Sequence, residues 1–152
     1  MDSSKSLNKL YFAYGMNTNV EQMAVRCPTA IPIGKAILSG YRFEFKSYAT
    51  IVPSPKESVE GVLWTITETD ELALDMLEGY PEFYDKKTVS VDYKGQPYIA
   101  MTYIMGPREQ GYPPSNSYYN MVSQGYQTFG LSQRQLLDAK ERTNQRGIII
   151  YE

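Results

Sequence analysis

Tyr11-Phe12-Ala13-Tyr14-Gly15-Met16-Asn17-Thr18 is an apolar run that halts at a glycine and passes straight into a helix start. Thr18 followed three residues later by Glu21 has the form of a capping box. Val20, Met23 and Ala24 then recur at helical spacing up to a stop at Pro28. The first amides of a helix have no acceptor within it, glycine permits close approach, and the helix dipole adds partial positive charge. The backbone N–H groups around Gly15, Met16 and Asn17 can therefore hold a carboxylate or a developing oxyanion without any side chain. Most strand-glycine-helix junctions only redirect the chain, so on pattern alone both readings stand.

With 152 residues, 42% of them hydrophobic, the chain has the size and the core of one domain. Residues 1–8 are polar and read as a flexible N-terminus, and 9–152 as the folded unit. Seventeen acidic and fifteen basic residues leave a net charge of -2, and neither sign gathers into a block able to track phosphates. Nucleic acid is thus not an expected partner. Nor is a membrane, because no apolar run approaches spanning length and the first nine residues lack a signal-peptide core. The expected location is the cytoplasm. Cys27 is the only cysteine and has no internal disulfide partner; beside Pro28 it reads as a packing residue. Nothing in the sequence sets the oligomeric state.

The chain contains no histidine. Ser-His-Asp and Cys-His machinery, His-ligated zinc and His-based proton transfer are excluded within it. Any catalytic base must be a carboxylate, a lysine or a tyrosine.

Alternating or apolar segments near 9–14, 34–46, 49–52, 59–66, 87–93 and 98–105 predict strands. Pro53-Ser54-Pro55, Gly79-Tyr80-Pro81 and Gly95-Gln96-Pro97 punctuate them. Helices are predicted at about 18–26, 69–78, 115–128 and 132–141, the last opened by Ser132. Strands outnumber helices without regular alternation, which gives a mixed α+β domain rather than a doubly wound sheet.

The helix at 69–78 is expected to be capped by Thr69, with Glu68, Asp70 and Glu71 at its positive end and Leu72, Ala73, Met76 and Leu77 along an apolar stripe. Glu78 falls in its last turn, before Gly79. A carboxylate at a helix C-terminus, walled by Leu77 and tyrosines, is harder to ionise and so suited to act as a base near neutral pH. A solvated surface glutamate has the same local pattern. Asp75, three residues earlier, reads as a support for the helix, and Glu82 as a solvated loop residue. Fourteen tyrosines suit both a packed core and a pocket with apolar walls and hydroxyl tips. Arg26, at a helix end before Cys27-Pro28, reads as a cap for terminal carbonyls and is left out of the expected site.

Four ordered segments together resemble the gamma-glutamylcyclotransferase family. Tyr11-Phe12-Ala13-Tyr14-Gly15, with Asn17, Met23 and Arg26-Cys27-Pro28, is similar to the family's loop after its first strand. Val59-Glu60-Gly61-Val62-Leu63-Trp64 looks like its central strand. Leu74-Asp75-Met76-Leu77-Glu78-Gly79 with Tyr84 looks like its catalytic helix end, and Pro113-Pro114-Ser115 to Tyr118 with Gly130-Leu131 like its C-terminal segment. The likeness spans about residues 9 to 132. Met16 departs from it, standing where many relatives carry serine; a loop that works through backbone amides tolerates that change.

The resemblance implies a small, partly closed barrel flanked by helices, with Glu78 as the catalytic base. It implies substrate binding by Tyr11, Phe12, Ala13, Tyr14, Gly15, Met16 and Asn17, and by Tyr84 and Tyr118. The implied reaction is intramolecular aminolysis of a small gamma-glutamyl amide. The substrate's own α-amine attacks its γ-carbonyl and releases 5-oxoproline and a free amine. Such chemistry needs no metal or organic cofactor. A domain of the same fold that binds a small carboxylate without turnover, or meets a protein partner, is the alternative.

Overall fold

The computed structural model describes residues 8–106 and 110–150, without side chains for 145–150. Most of the expected flexible N-terminus, residues 1–7, lies outside the described residues. Strand β1 (Lys9–Ala13) leads through a 3-10 turn (Met16–Thr18) into helix α1 (Val20–Arg26). A long hairpin follows, β2 (Ile31–Lys46) and β3 (Tyr48–Ile66), and then helix α2 (Glu68–Glu78). A second hairpin, β4 (Tyr84–Tyr93) and β5 (Gln96–Met105), precedes helices α3 (Asn116–Phe129) and α4 (Gln133–Ile150). The five strands close into a barrel in the order β1-β3-β2-β4-β5, with β5 returning parallel to β1. The fold is α+β, as the segment pattern predicts. Two of the barrel's seams are thin, each a single residue pair: Ile37 with Asp92 and Tyr11 with Met101. Among the described residues no helix is long and apolar enough to cross a membrane.

Three local expectations shift. Thr18 does not cap α1. Its hydroxyl and its N–H both return to the Gly15 carbonyl, closing the 3-10 turn, and Asn19 caps instead by accepting from the Gln22 N–H at 3.1 Å. The cap expected at Thr69 is Thr67, which forms a full capping box with Asp70. The segments 49–52 and 59–66 are one strand, because the Pro53-Ser54-Pro55 punctuation falls in a bulge. Ser39 pairs with Ser58 and Tyr41 with Pro53, so residues 54–57 stand opposite Gly40 alone. A bulge accommodates prolines that cannot donate to the ladder.

The interior of the barrel is filled by Phe12, Phe43, Phe45, Ile51, Leu63 and their neighbours. Each such burial contributes about 1.5–3 kcal/mol. Val122 and Tyr126, four apart on α3, and Leu136 and Ala139 on α4 extend this core outward. The helices also hold the loop after β1 in place. A Cβ at Gly125 of α3 would lie 2.2 Å from the Thr18 hydroxyl oxygen, so only glycine lets α3 press onto the 3-10 turn. Asn19 Nδ2 donates to the Met121 carbonyl at 2.9 Å, and the Tyr126 hydroxyl to the Tyr14 carbonyl at 2.6 Å. The glycine loop is therefore held by tertiary contacts on its far side. Cys27 is buried at the end of α1, its Sγ 3.7 Å from the Asp70 carbonyl, with its thiol pushed up to about 11 by burial. That is the packing role read from the sequence.

Candidate active site

A cavity of about 360 Å³ opens where the loop after β1, the end of α2 and the start of α3 meet. Seven of the expected binding residues are in its wall, namely Tyr11, Tyr14, Gly15, Met16, Asn17, Tyr84 and Tyr118, and so is Glu78. Phe12 and Ala13 are not. Both are buried in the core, and the close passage of β3 explains why. A Cβ at Gly61 would meet the Phe12 ring at 2.6 Å and the Ala13 carbonyl at 2.5 Å, so this stretch of β1 is sealed against its neighbour strand.

Glu78 is the last residue of α2. The helix ends there in paired backbone bonds, Gly79 N–H to the Met76 carbonyl and Tyr80 N–H to the Asp75 carbonyl, with Gly79 in the left-handed conformation. The terminus turns the carboxyl toward the loop. Burial pushes Glu78 up to about 7, opposed by the Arg26 charge and by a hydrogen bond from Asn17. The carboxyl thus titrates at neutral pH, as a proton acceptor and donor should.

Asn17 is the hub. It is almost wholly buried. Its Nδ2 donates to the Tyr11 hydroxyl at 2.9 Å and faces Glu78 Oε2 at 3.4 Å, and its Oδ1 accepts from Arg26 Nη1 at 2.7 Å. Arg26 fixes which way the amide points. This corrects its exclusion from the site: instead of capping α1, its guanidinium reaches into the cavity wall. With the cation removed, Glu78 should hold its proton to higher pH. The expected result for Arg26→Gln is an upward move of the Glu78 titration midpoint, read by carboxyl-carbon NMR of the labelled protein. A midpoint that stays put or falls would show that the guanidinium does not act on this carboxyl.

The tyrosine hydroxyls divide into two kinds. Tyr84 donates to the Ala49 carbonyl at 2.7 Å and Tyr14 to the Tyr103 carbonyl, so their protons are engaged by backbone. Tyr118 accepts from the Ala49 N–H at 3.0 Å and Tyr11 from Asn17, which leaves each with its own proton to donate into the cavity. Burial pushes Tyr118 up to about 12 and raises Tyr11 well above the ordinary phenol value, so both remain protonated donors. Tyr103, another wall residue, donates to Asp75 at 2.6 Å, and Asp75 pairs with Lys86 at 3.0 Å. Asp75, expected to support its own helix, instead ties the helix to the wall residue Tyr103 and to Lys86 on β4.

The loop itself offers backbone. Thr18 N–H bonds to the Gly15 carbonyl and Asn19 N–H to the Met16 carbonyl. The amides of Met16 and Asn17 begin the turn and have no acceptor within it. Across the cavity Gly15 lies against Ala49, where a Cβ would come within 2.8 Å of the Ala49 methyl and 3.4 Å of the Tyr118 hydroxyl. The absence of a side chain brings the turn, the β2–β3 hairpin and α3 together at one point. Sequence reasoning placed Leu77 beside Glu78 but missed Tyr48, Ala49, Phe83, Thr102 and Tyr103, all wall residues. Only pairing between distant strands and the hairpin tip brings them there, and no local pattern announces it.

The arrangement is a pocket that brings one carboxyl pushed up to about 7 together with two phenolic donors and the turn Gly15-Met16-Asn17. The family model for "Gamma-glutamyl cyclotransferase, AIG2-like" matches residues 11–121. The mouse protein named gamma-glutamylcyclotransferase is 30% identical over 156 residues, 92% of this chain and 82% of its own. The bovine protein of the same name is 30% identical over 136 residues, 80% and 72% of the two chains. A solved gamma-glutamyl cyclotransferase structure superposes with a TM-score of 0.77 at 27% identity, covering 90% of this chain and 86% of that one. Sequence, fold and pocket together make this chain a member of the gamma-glutamyl cyclotransferase, AIG2-like family, a cyclotransferase enzyme.

Proposed function

We propose that the protein cleaves a small gamma-glutamyl amide by intramolecular aminolysis, releasing 5-oxoproline and a free amine. The observation that carries this reading is the placement of Glu78, pushed up to about 7, in the wall of one cavity with the turn residues Gly15, Met16 and Asn17. The nucleophile belongs to the substrate. The protein has to fold the glutamyl chain so that its α-nitrogen meets its γ-carbon, which converts binding into attacking geometry.

Glu78 takes a proton from the α-ammonium. The nitrogen adds to the γ-carbonyl and the oxygen becomes an oxyanion, held by the loop amides or by the Tyr118 and Tyr11 hydroxyls. The γ-carbon to leaving-nitrogen bond then breaks as Glu78 returns that proton to the departing amine and accepts the second proton of the ring nitrogen, which passes to the released amine as it becomes an ammonium. Atoms and charge balance without a co-reactant, since the two products contain every atom of the substrate. A single buried cysteine is in keeping with a reducing, cytoplasmic setting.

The deciding experiment blocks the nucleophile and leaves the scissile bond alone. Acetylating the α-amine of a gamma-glutamyl amide that the enzyme turns over should abolish reaction, because no other attacker is available. Mass spectrometry identifies the product of the unblocked compound. The expected product is 5-oxoproline; free glutamate, or continued cleavage of the acetylated compound, would mean hydrolysis by water or an enzyme nucleophile.

A further inference from the structure

The two ends of the cavity differ in chemistry. Its floor is polar and buried, with Tyr11, Asn17 and Tyr14 all at or below 6% exposure. Its mouth is apolar and wet: Tyr48 is 49% exposed, Leu77 48%, and Phe83 is half-buried. The Tyr48 ring meets Tyr118 edge-on at 5.3 Å and Phe83 at 6.3 Å, and Phe83 meets Tyr84 at 5.2 Å. These rings form an arc around the opening.

The backbone fixes that arc. Tyr48 opens β3 at the tip of the long hairpin, after Ser47 in the left-handed conformation (φ 68), and the Ser47 N–H bonds to the Tyr112 carbonyl at 3.0 Å. The next residue, Ala49, is gripped on both sides of its peptide by Tyr118 and Tyr84. Tyr48 is thus presented at the opening by an ordered support, with its apolar face left in water. Among the described residues no lysine lines the cavity, and its one arginine, Arg26, is turned toward Asn17 at the floor.

A gamma-glutamyl substrate has a charged head, with an α-ammonium and an α-carboxylate, and a tail set by the departing amine. The head matches the floor, where Glu78, the loop amides and the phenolic protons converge. The tail must then run out through the mouth, past rings that gain by being covered and that offer no cation. We propose that the leaving group is an arylalkylamine without a carboxylate, its ring held, while still joined as the neutral amide, in the arc of Tyr48, Phe83 and Leu77. This rests on the cyclotransferase reading above and adds the substrate class to it.

Three compounds with the same glutamyl head test it: gamma-glutamyl phenethylamide, gamma-glutamyl ethylamide and gamma-glutamylphenylalanine. The phenethylamide should exceed the ethylamide in kcat/KM by at least about tenfold, the discrimination an apolar pocket gives for added apolar groups. It should also exceed gamma-glutamylphenylalanine, which carries the same ring with a carboxylate. In Tyr48→Ala the ratio of phenethylamide to ethylamide should fall toward one. Equal or better use of the ethylamide or of gamma-glutamylphenylalanine, with 5-oxoproline still formed, would overturn the aromatic leaving group and leave the cyclotransferase reading intact. A ratio unchanged in Tyr48→Ala would remove the arc as its binding site. Absence of 5-oxoproline from all three compounds would instead overturn the proposed function, and this inference with it.

Discussion

Glu78→Gln is expected to lower turnover by at least ~100-fold while the fold survives, since the amide fills the same space and cannot accept a proton. The companion result for the parent enzyme is a kcat/KM that rises with pH around 7, the value to which burial pushes this carboxyl. Stability gives an independent reading with a fixed sign. The folded value, about 7, lies above the ordinary 4.5, so the folded state holds this proton more tightly than the unfolded chain. The resulting stabilisation is complete below pH 4.5 and is lost as pH rises through about 7. Glutamine has no such titration. The variant should therefore gain on the parent across that window, by up to about 3 kcal/mol, in urea unfolding followed at several pH values. A folded variant that turns over normally would show that another group moves the proton.

Gly15→Val should be nearly as damaging to activity, for a steric reason. Even the first carbon of the new side chain would come within 2.8 Å of the Ala49 methyl and 3.4 Å of the Tyr118 hydroxyl, so the two methyl groups beyond it add bulk where the cavity wall has no room. Misplacing a substrate by an ångström at such a point costs about 100-fold in kcat/KM. Met16→Ser changes a half-buried wall side chain but no backbone, and should cost far less. Calorimetric titration with 5-oxoproline and turnover of a gamma-glutamyl amide measure both. Because the valine also presses on the hairpin, Gly15→Val with Ala49→Gly serves as the control. The second change relieves the contact with Ala49 and leaves the valine crowding the Tyr118 hydroxyl in the cavity wall, so thermal stability should recover while binding does not. Parental binding by either folded form would reduce the turn to a simple change of chain direction.

Features that depend on short stretches of chain were legible in the sequence. Gly15 and Glu78 could be named as candidates because a glycine after an apolar run and a carboxyl at a helix end are local facts, and the resemblance then chose between the readings those facts left open. Tyr118 could be placed by its position after Pro113-Pro114-Ser115. The errors have one physical origin, competition from tertiary contacts. Thr18 is a good cap by composition, but the 3-10 turn claims it and passes the task to Asn19. Pro53 and Pro55 break strands as a rule, yet Pro55 falls in the bulge opposite Gly40, Pro53 pairs with Tyr41 at its edge, and β3 continues. Arg26 has the position of a helix cap, but a partner nine residues back, Asn17, draws it into the cavity. Phe12 shares a motif with Tyr11 and Tyr14 but faces β3 where Gly61 leaves room for its ring. A motif names a stretch of chain without saying which of its side chains the neighbouring strand will cover.

The grip of Tyr84 and Tyr118 on the two sides of Ala49 also bears on how such an enzyme can change over evolutionary time. Residues 15, 49, 84 and 118 meet at one point through backbone and near-contact distances, so a substitution at one alters what the others tolerate. They can drift only as a set. Tyr48, Leu77 and Phe83 stand at the rim, the first two about half in water. Tyr48 and Phe83 touch through ring edges and not through the main chain, and Leu77 adds only a side chain to the wall, which leaves each free to be exchanged singly. A lineage can therefore retune what it releases by altering the rim one residue at a time, while the inherited chamber behind it stays locked.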